Sequence, residues 1–354
     1  MKLYIRSGAA ISPQKTSGTE MFPEELVSVT GPRLNAAEPD YKDIIDPKLI
    51  RRMSHIIKMG VATANECLRR GDTAMPDAII TGTAYGCLED TAQFLTKLVE
   101  HKEEMLSPTS FIQSTHNTVG AQIALLLHCH QYNNTFVHRG FSFESALYDA
   151  MMYADENPQA KILTGGVDEI TDTSYHLLSR LGLLRTKPVN NLELLHNPER
   201  GTIAGEGAAF FLVSGQPGPT DTVVLEGVST FYKPANLTET ETHIRNFLDT
   251  HRLHAKDIDL VITGRNGDVA GDAVYDHVVG SIFPAGFSVP FKHLCGEYPT
   301  AASFALWMPD RIIKSGTVPE IPFATQRHSR PIKTVLIYNH YLQMHHSMYL
   351  VRAC

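Results

Sequence analysis

Cysteine is scarce in this chain and poorly placed for pairing. Its 354 residues hold five cysteines and no Cys-x-x-Cys pair, which excludes a zinc ribbon and favours reduced, independent thiols over a disulfide framework. There is no block of lysine and arginine and no basic stretch interleaved with aromatics. A formal charge of −7 is instead spread along the chain, so no nucleic-acid surface is expected. No apolar run is long enough for a signal peptide or a membrane span, and the expected location is the cytoplasm. Two local absences bear on chemistry: no cysteine lies between Cys129 and Cys295, and no glycine between Asn339 and Ser347. What remains is ordinary globular composition, 43% hydrophobic and 19% charged, in a chain long enough for two domains or one duplicated fold.

Apolar strands alternate with helical periodicity. A strand at Met1–Gly8 is followed by an irregular excursion over residues 10–45 that is rich in Pro, Gly and Ser. Asp46 and Pro47 then open a helix expected to run to Arg70, with Gly71 as its stop. Pro76–Thr83 reads as a buried strand, Leu88–His101 and Ser114–His130 as helices, and Lys161–Gly166 as another strand. This alternation predicts an α/β protein with a largely parallel sheet. Asp257-Ile258-Asp259-Leu260-Val261-Ile262-Thr263-Gly264 repeats the character of Asp77-Ala78-Ile79-Ile80-Thr81-Gly82, with matching neighbours on either side. A duplicated unit is therefore expected, divided at Gln216-Pro217-Gly218-Pro219 into halves 1–215 and 216–354.

The chain is organised around Asn134–Leu147, where an extended run gives way to a helix. A tight strand-to-helix turn presents its apex beside unpaired helix amides, a natural seat for a nucleophile and an oxyanion. Around it, Pro108-Thr109-Ser110-Phe111, Asn117-Thr118-Val119-Gly120-Ala121-Gln122-Ile123-Ala124 and Arg200-Gly201-x-x-x-Gly205-Glu206-Gly207-Ala208 occur in an order and spacing that resemble the β-ketoacyl synthases of the thiolase superfamily. The resemblance runs over most of the chain. It implies a thiolase-like duplicated fold of five layers, α-β-α-β-α about a pseudo-dyad, with helices 142–155 and 300–312 in the middle layer. It implies no cofactor and no metal.

In that family a Cys at the elbow takes the acyl chain as a thioester, while a Lys and two His serve decarboxylation and the enolate. Here Gly140 falls at the Cys position, or Phe141 if the strand is one residue longer, and neither accepts an acyl group. Gly264 stands where the first His belongs, Lys292 is retained, and Glu297 replaces the second His. The family's Gly-Phe-Gly-Gly loop corresponds to Asn339–Ser347, which is expected to lack both the permissive backbone and the close approach that glycine gives. The pattern resembles the chain-length-factor type of subunit, which pairs with an active synthase, although Gly140 departs from the Gln usual there.

The implied function is a non-condensing subunit in acyl-carrier-protein-dependent fatty acid, polyketide or aryl-polyene-type biosynthesis. Its partner would be an active β-ketoacyl synthase, joined through the strand Asn134–Arg139, or a second copy of itself, with an acyl carrier protein as a further partner. The rival is a divergent synthase or acyltransferase using Ser142 or Cys295 as nucleophile, with His138 the nearest base in sequence.

Plainer readings stand beside these. A Lys at a turn is ordinarily a solvated surface group, Glu297 suits a helix start, and Cys295 suits packing. His128 and His130, two apart on a helix, point to different sides and do not suggest a metal. His345 and His346, adjacent in a strand, point to opposite faces. Gly140-Phe141-Ser142-Phe143-Glu144 is not a hydrolase elbow, because Glu144 stands where that motif needs glycine.

Overall fold

Ten strands form one mixed sheet, and their order repeats. In chain order they are β1 (Leu3–Ile11), β2 (Ala78–Gly82), β3 (Tyr132–Phe136), β4 (Ile162–Asp168), β5 (Gly207–Ser214), β6 (Val223–Tyr232), β7 (Leu260–Thr263), β8 (Ser288–Pro290), β9 (Thr334–Tyr341) and β10 (His345–Ala353). They stand side by side as β8-β7-β9-β10-β6-β1-β5-β4-β2-β3. Outward from the β1–β6 contact, each half runs first, fifth, fourth, second, third. The computed structural model describes residues 1–354 apart from 107, 220, 317, 319 and 326–330.

The expected duplication is present at the level of strand order, with two differences. The halves are not separate sheets: β1 and β6 pair antiparallel at Leu3↔Leu225, Tyr4↔Val224 and Ile5↔Val223 and join them. Nor is the sheet largely parallel in its pairings, since in each half only the second, third and fourth strands pair in parallel and the fifth runs against both of its neighbours. Parallel neighbours need a crossover helix, whereas β9 and β10 close through a short turn.

The helices are α1 (His55–Arg70), α2 (Leu88–Glu100), α3 (Pro108–Gln113), α4 (Thr118–Leu127), α5 (Ser142–Glu156), α6 (Asp172–Arg180), α7 (Leu237–Thr250), α8 (Val269–Ile282) and α9 (Ala302–Ser315). Side chains alternate across each strand, so the inner strands feed two cores. Ile80, Phe211, Ile262 and Ile337 face a central core with α5 and α9. Ile79, Phe210 and Leu212 face α1 and α4, and Val261, Leu336 and Leu350 face α7 and α8. Three cores between five layers give the α-β-α-β-α arrangement. Phe143 and Phe304, buried in the central core, each contribute about 1.5–3 kcal/mol of transfer free energy.

Two helices differ from expectation. The helix opened by Asp46 and Pro47 stops at Ile50, and Ser54 takes an extended backbone before α1 begins anew at His55. The helix expected over Ser114–His130 is confined to α4, because His128 takes a left-handed backbone (φ 52°) and ends it. His128, Cys129 and His130 therefore lie in a turn rather than on a helix, with Cys129 Sγ donating to the Pro76 carbonyl. The N-terminal excursion is tethered, Thr30–Gly31 pairing with Val189–Asn190 and Arg33–Leu34 with Ala204–Gly205.

The two sheet edges are treated differently. At β8, Thr325 covers the edge, its N–H donating to the Ser288 carbonyl (2.9 Å) and its Oγ1 accepting from the Ser288 N–H (2.8 Å). At the opposite edge β3 pairs with β2 alone. No helix of the described residues is long and apolar enough to cross a membrane.

Candidate functional site

The strand-to-helix turn is built by Ser142, the first residue of α5. Its Oγ accepts the His138 N–H (2.8 Å) and donates to the Arg139 carbonyl (2.8 Å), closing the turn on itself. Arg139 carries the left-handed backbone at φ 50°, and the following Gly140 is buried. A Cβ placed on Gly140 would lie 2.8 Å from Tyr341 Cβ and 2.9 Å from His345 Cβ. Both distances are below any real contact, so the position has no room for a nucleophile of any kind.

The approach that closes on Gly140 comes from the hairpin turn between β9 and β10, where expectation needs correcting. Leu342 and Gln343 both adopt φ 54° without being glycine, and the Met344 N–H donates to the Tyr341 carbonyl at 3.1 Å. The close approach also survives, because the glycine that admits it sits on the other partner, at Gly140.

Gly264 ends β7 against β9, its N–H donating to the Tyr338 carbonyl at 3.1 Å. A Cβ there would strike the Tyr275 hydroxyl and, at 2.5 Å, Asn339 Oδ1. Tyr275 also accepts the His340 N–H (2.8 Å). His340 is buried and held neutral, its pKa driven down by burial. Its Nδ1 faces the Gln343 N–H (3.4 Å), so Nε2 carries the proton and gives it to the Gly271 carbonyl at 3.0 Å.

Lys292 is not a solvated turn residue: it is fully buried. Nζ donates to Glu297 Oε1 (2.8 Å), Glu297 Oε2 (2.9 Å) and the His340 carbonyl (2.8 Å), using all three protons. Glu297 is no helix-start carboxylate either, since α9 begins five residues later at Ala302. Burial raises its pKa, and Lys292 and the Asn266 amide, 2.6 Å from Oε2, pull against that. Cys295 is buried between them with Sγ on the Gly296 carbonyl, and burial pushes its thiol far up, away from the thiolate.

Above this cluster the opening is closed. Tyr85 and Tyr341 meet hydroxyl to hydroxyl at 3.2 Å, and the cavity they line with Glu169, Leu184 and Glu297 holds only about 30 Å³. Tyr85 is held by Asp168, a buried carboxylate at the end of β4. Asp168 Oδ1 accepts from the Thr83 hydroxyl and the Ala84 and Tyr85 N–H groups, and Oδ2 from the Thr300 N–H and hydroxyl. Burial raises Asp168 to about 6 despite these bonds.

Gly140, Gly264, Lys292 and Glu297 thus gather around the end of β9 and its turn. Ser142 and Cys295 lie nearby but are spent on backbone carbonyls. The His138 ring meets Ser145 (3.5 Å), and only its backbone N–H reaches Ser142, so it is not placed as a base for that hydroxyl. His345 and His346 do face opposite ways, His345 against Phe141 and Tyr232, His346 against Phe231 with Nδ1 on the Tyr338 hydroxyl. Asp168, Asn266, Tyr275, Tyr341 and the His340 carbonyl went unread in the sequence, because each acts across a long separation. Only a lone Asp closing the apolar run Ile162–Val167 hinted at a buried carboxylate. Among the described residues no group of three or more His, Cys, Asp or Glu is placed to hold a metal.

Residues 30–184 match the family model described as beta-ketoacyl synthase, N-terminal domain. No curated protein matches the sequence. Solved structures align over the whole chain. A β-ketoacyl synthase from Burkholderia phymatum is 14% identical with TM-score 0.79, covering 100% of this chain and 99% of that one. The ishigamide ketosynthase/chain length factor is 16% identical with TM-score 0.77 over the same shares. The ketosynthase ApeO in complex with its chain length factor ApeC, from Xenorhabdus doucetiae, is 13% identical with TM-score 0.74, over 99% and 98%. The fold is the thiolase-like fold of the ketosynthases. The resemblance read from the sequence is borne out: residues 30–184 are similar to the N-terminal domain of the β-ketoacyl synthases, and the whole chain shares the fold of the ketosynthases.

Proposed function

We propose that this chain is a non-condensing subunit of the chain-length-factor type, which pairs with an active β-ketoacyl synthase in an acyl-carrier-protein-dependent pathway. The observation that carries the reading is the filled seat of catalysis. Gly140 and Gly264 have no room for side chains, and the retained Lys292 is consumed by Glu297. A thioester needs an activated nucleophile with space around it. Ser142 and Cys295 have neither, which disfavours a divergent synthase or acyltransferase.

Pairing is supported by the open edge of β3. An unpaired strand is a template for another chain, and exposed Tyr132 and Val137 lie on it and just past it, with exposed Leu95, Phe111, Ile112 and Leu125 on α2, α3 and α4. The structural neighbours with ketosynthase and chain length factor partners, and one bound to an acyl carrier protein, fit the same reading. Fatty acid, polyketide or aryl-polyene-type products made in the cytoplasm are the products this reading proposes. An obligate contact would bury on the order of 2,000 Å² or more.

Co-expression with the synthase encoded beside it, followed by native mass measurement, tests the pairing. A heterodimer whose product length depends on this chain is expected. Separate homodimers with unchanged synthase output would overturn the pairing. A stable acyl adduct on this chain alone, after incubation with acyl and malonyl carrier-protein thioesters, would overturn the non-condensing assignment.

A further inference from the structure

A cavity of about 670 Å³ lies between α1 and the N-terminal excursion, against about 30 Å³ beside Tyr85 and Tyr341. Pockets that take small organic ligands run from roughly 300 to 1,000 Å³. Asn65, Leu68 and Arg69, three and four apart on one face of α1, form one wall, and Asp40, Asp43 and Ile44 of the excursion form another. Leu68 is 3% exposed, and Ile44 and Leu127 are half-buried, so aliphatic carbon lines the interior. Asp40, Asp43 and Arg69 are exposed and stand at its mouth.

The polar groups of the lining divide into those that hold the walls and those left free. Glu66 is buried and accepts from the Gly18 N–H (2.8 Å), the Ser17 hydroxyl (3.2 Å) and Arg70. Thr73 Oγ1 donates to the Gly71 carbonyl (2.9 Å). Asn65, Arg69 and Asp43 make no side-chain hydrogen bond or ion pair among the described residues, and Asp40 uses one oxygen alone, on the Lys42 N–H (3.1 Å). An amine by itself would use the aspartates and leave Arg69 idle. A carboxylate by itself would use Arg69 and meet the aspartates' repulsion. A molecule with both charges on an aliphatic body engages every free group. We infer that this cavity binds an aliphatic zwitterion of short-peptide size, its ammonium on Asp40 and Asp43, its carboxylate on Arg69 and Asn65, and its side chains on Ile44, Leu68 and Leu127. A single amino acid would leave most of the volume empty. None of these residues belongs to the site around Gly140 and Lys292, so binding here does not depend on whether the chain condenses.

The test is calorimetric titration of the full chain at neutral pH with trileucine, with N-acetyl-trileucine, which lacks the ammonium, and with trileucine amide, which lacks the carboxylate. Saturable one-to-one binding of trileucine is expected. Each blocked form should bind about two- to fivefold more weakly, the range for a partly exposed ion pair. Arg69→Gln should abolish the difference between acid and amide and keep the effect of acetylation. Asp40→Asn with Asp43→Asn should do the reverse, and Asn keeps the cap that Asp40 supplies. Both variants should melt at the parent's temperature without ligand. Absence of saturable binding overturns the inference. So does equal affinity for all three peptides, since the cavity then takes apolar matter without regard to charge. Discrimination that survives in both variants overturns it as well, because the peptide then binds elsewhere.

Discussion

Lys292 Nζ, fully buried, lies 2.8 Å from Glu297 Oε1 and 2.9 Å from Oε2 of a carboxylate that is itself buried to all but 7%. Removing one partner leaves an uncompensated buried charge, at a cost of about 3–5 kcal/mol. Glu297→Gln and Lys292→Met should each lower the free energy of unfolding, read from urea titrations, by that order. Lys292→Met combined with Glu297→Leu should recover most of the loss, as buried ion pairs replaced by apolar residues often do. A double variant as unstable as the sum of the two singles would show that the pair is not acting as a unit.

Placing a cysteine at Gly140, the position proposed for the synthases' nucleophile, should not create an acylation site. Gly140→Cys places Cβ against Tyr341 and His345, and such overpacking costs about 1–3 kcal/mol. Gly140→Ala should cost nearly as much, because the clash belongs to Cβ and not to sulfur. Intact mass after incubation with an acyl carrier-protein thioester should show no adduct on the Cys variant. A stoichiometric adduct would mean that the turn opens more readily than its packing implies.

The hairpin turn holds stored strain. Leu342 and Gln343 in the left-handed region cost on the order of 1–3 kcal/mol each, where Asn-Gly is the favoured pair. Leu342→Asn with Gln343→Gly should therefore raise stability by about 1 kcal/mol in thermal unfolding. No gain, or a loss, would mean that the Leu342 side chain contributes more than its backbone costs.

His55 sets a pH dependence. Burial opposes its charge, but Glu206 Oε1 at 3.0 Å and Glu38 Oε1 at 2.6 Å outweigh that and lift its pKa to about 10. The folded value exceeds the ordinary histidine value of 6.5. Its stabilising contribution is therefore whole below about pH 6.5 and is lost as pH rises towards 10. The stability difference between the parent and His55→Gln should shrink across that window. A difference constant from pH 6 to pH 10 would contradict the ion triad.

The sequence by itself determined the alternation of elements, the duplication and the family resemblance. These rest on local periodicity and on motifs such as Arg200–Ala208, which carry their signal without reference to distant residues. It also determined what the turn at Gly140 cannot do, since a missing side chain is missing in any fold. Only the tertiary structure decided that Lys292 and Glu297 neutralise each other, that Tyr85 meets Tyr341, that Asp168 ties Thr83–Tyr85 to Thr300 and that β1 joins the halves through β6. The reason is physical. Burial and partner choice are set by which surfaces pack, so a lysine that reads as solvated in its own turn becomes a buried cation once β9 lays the His340 carbonyl over it.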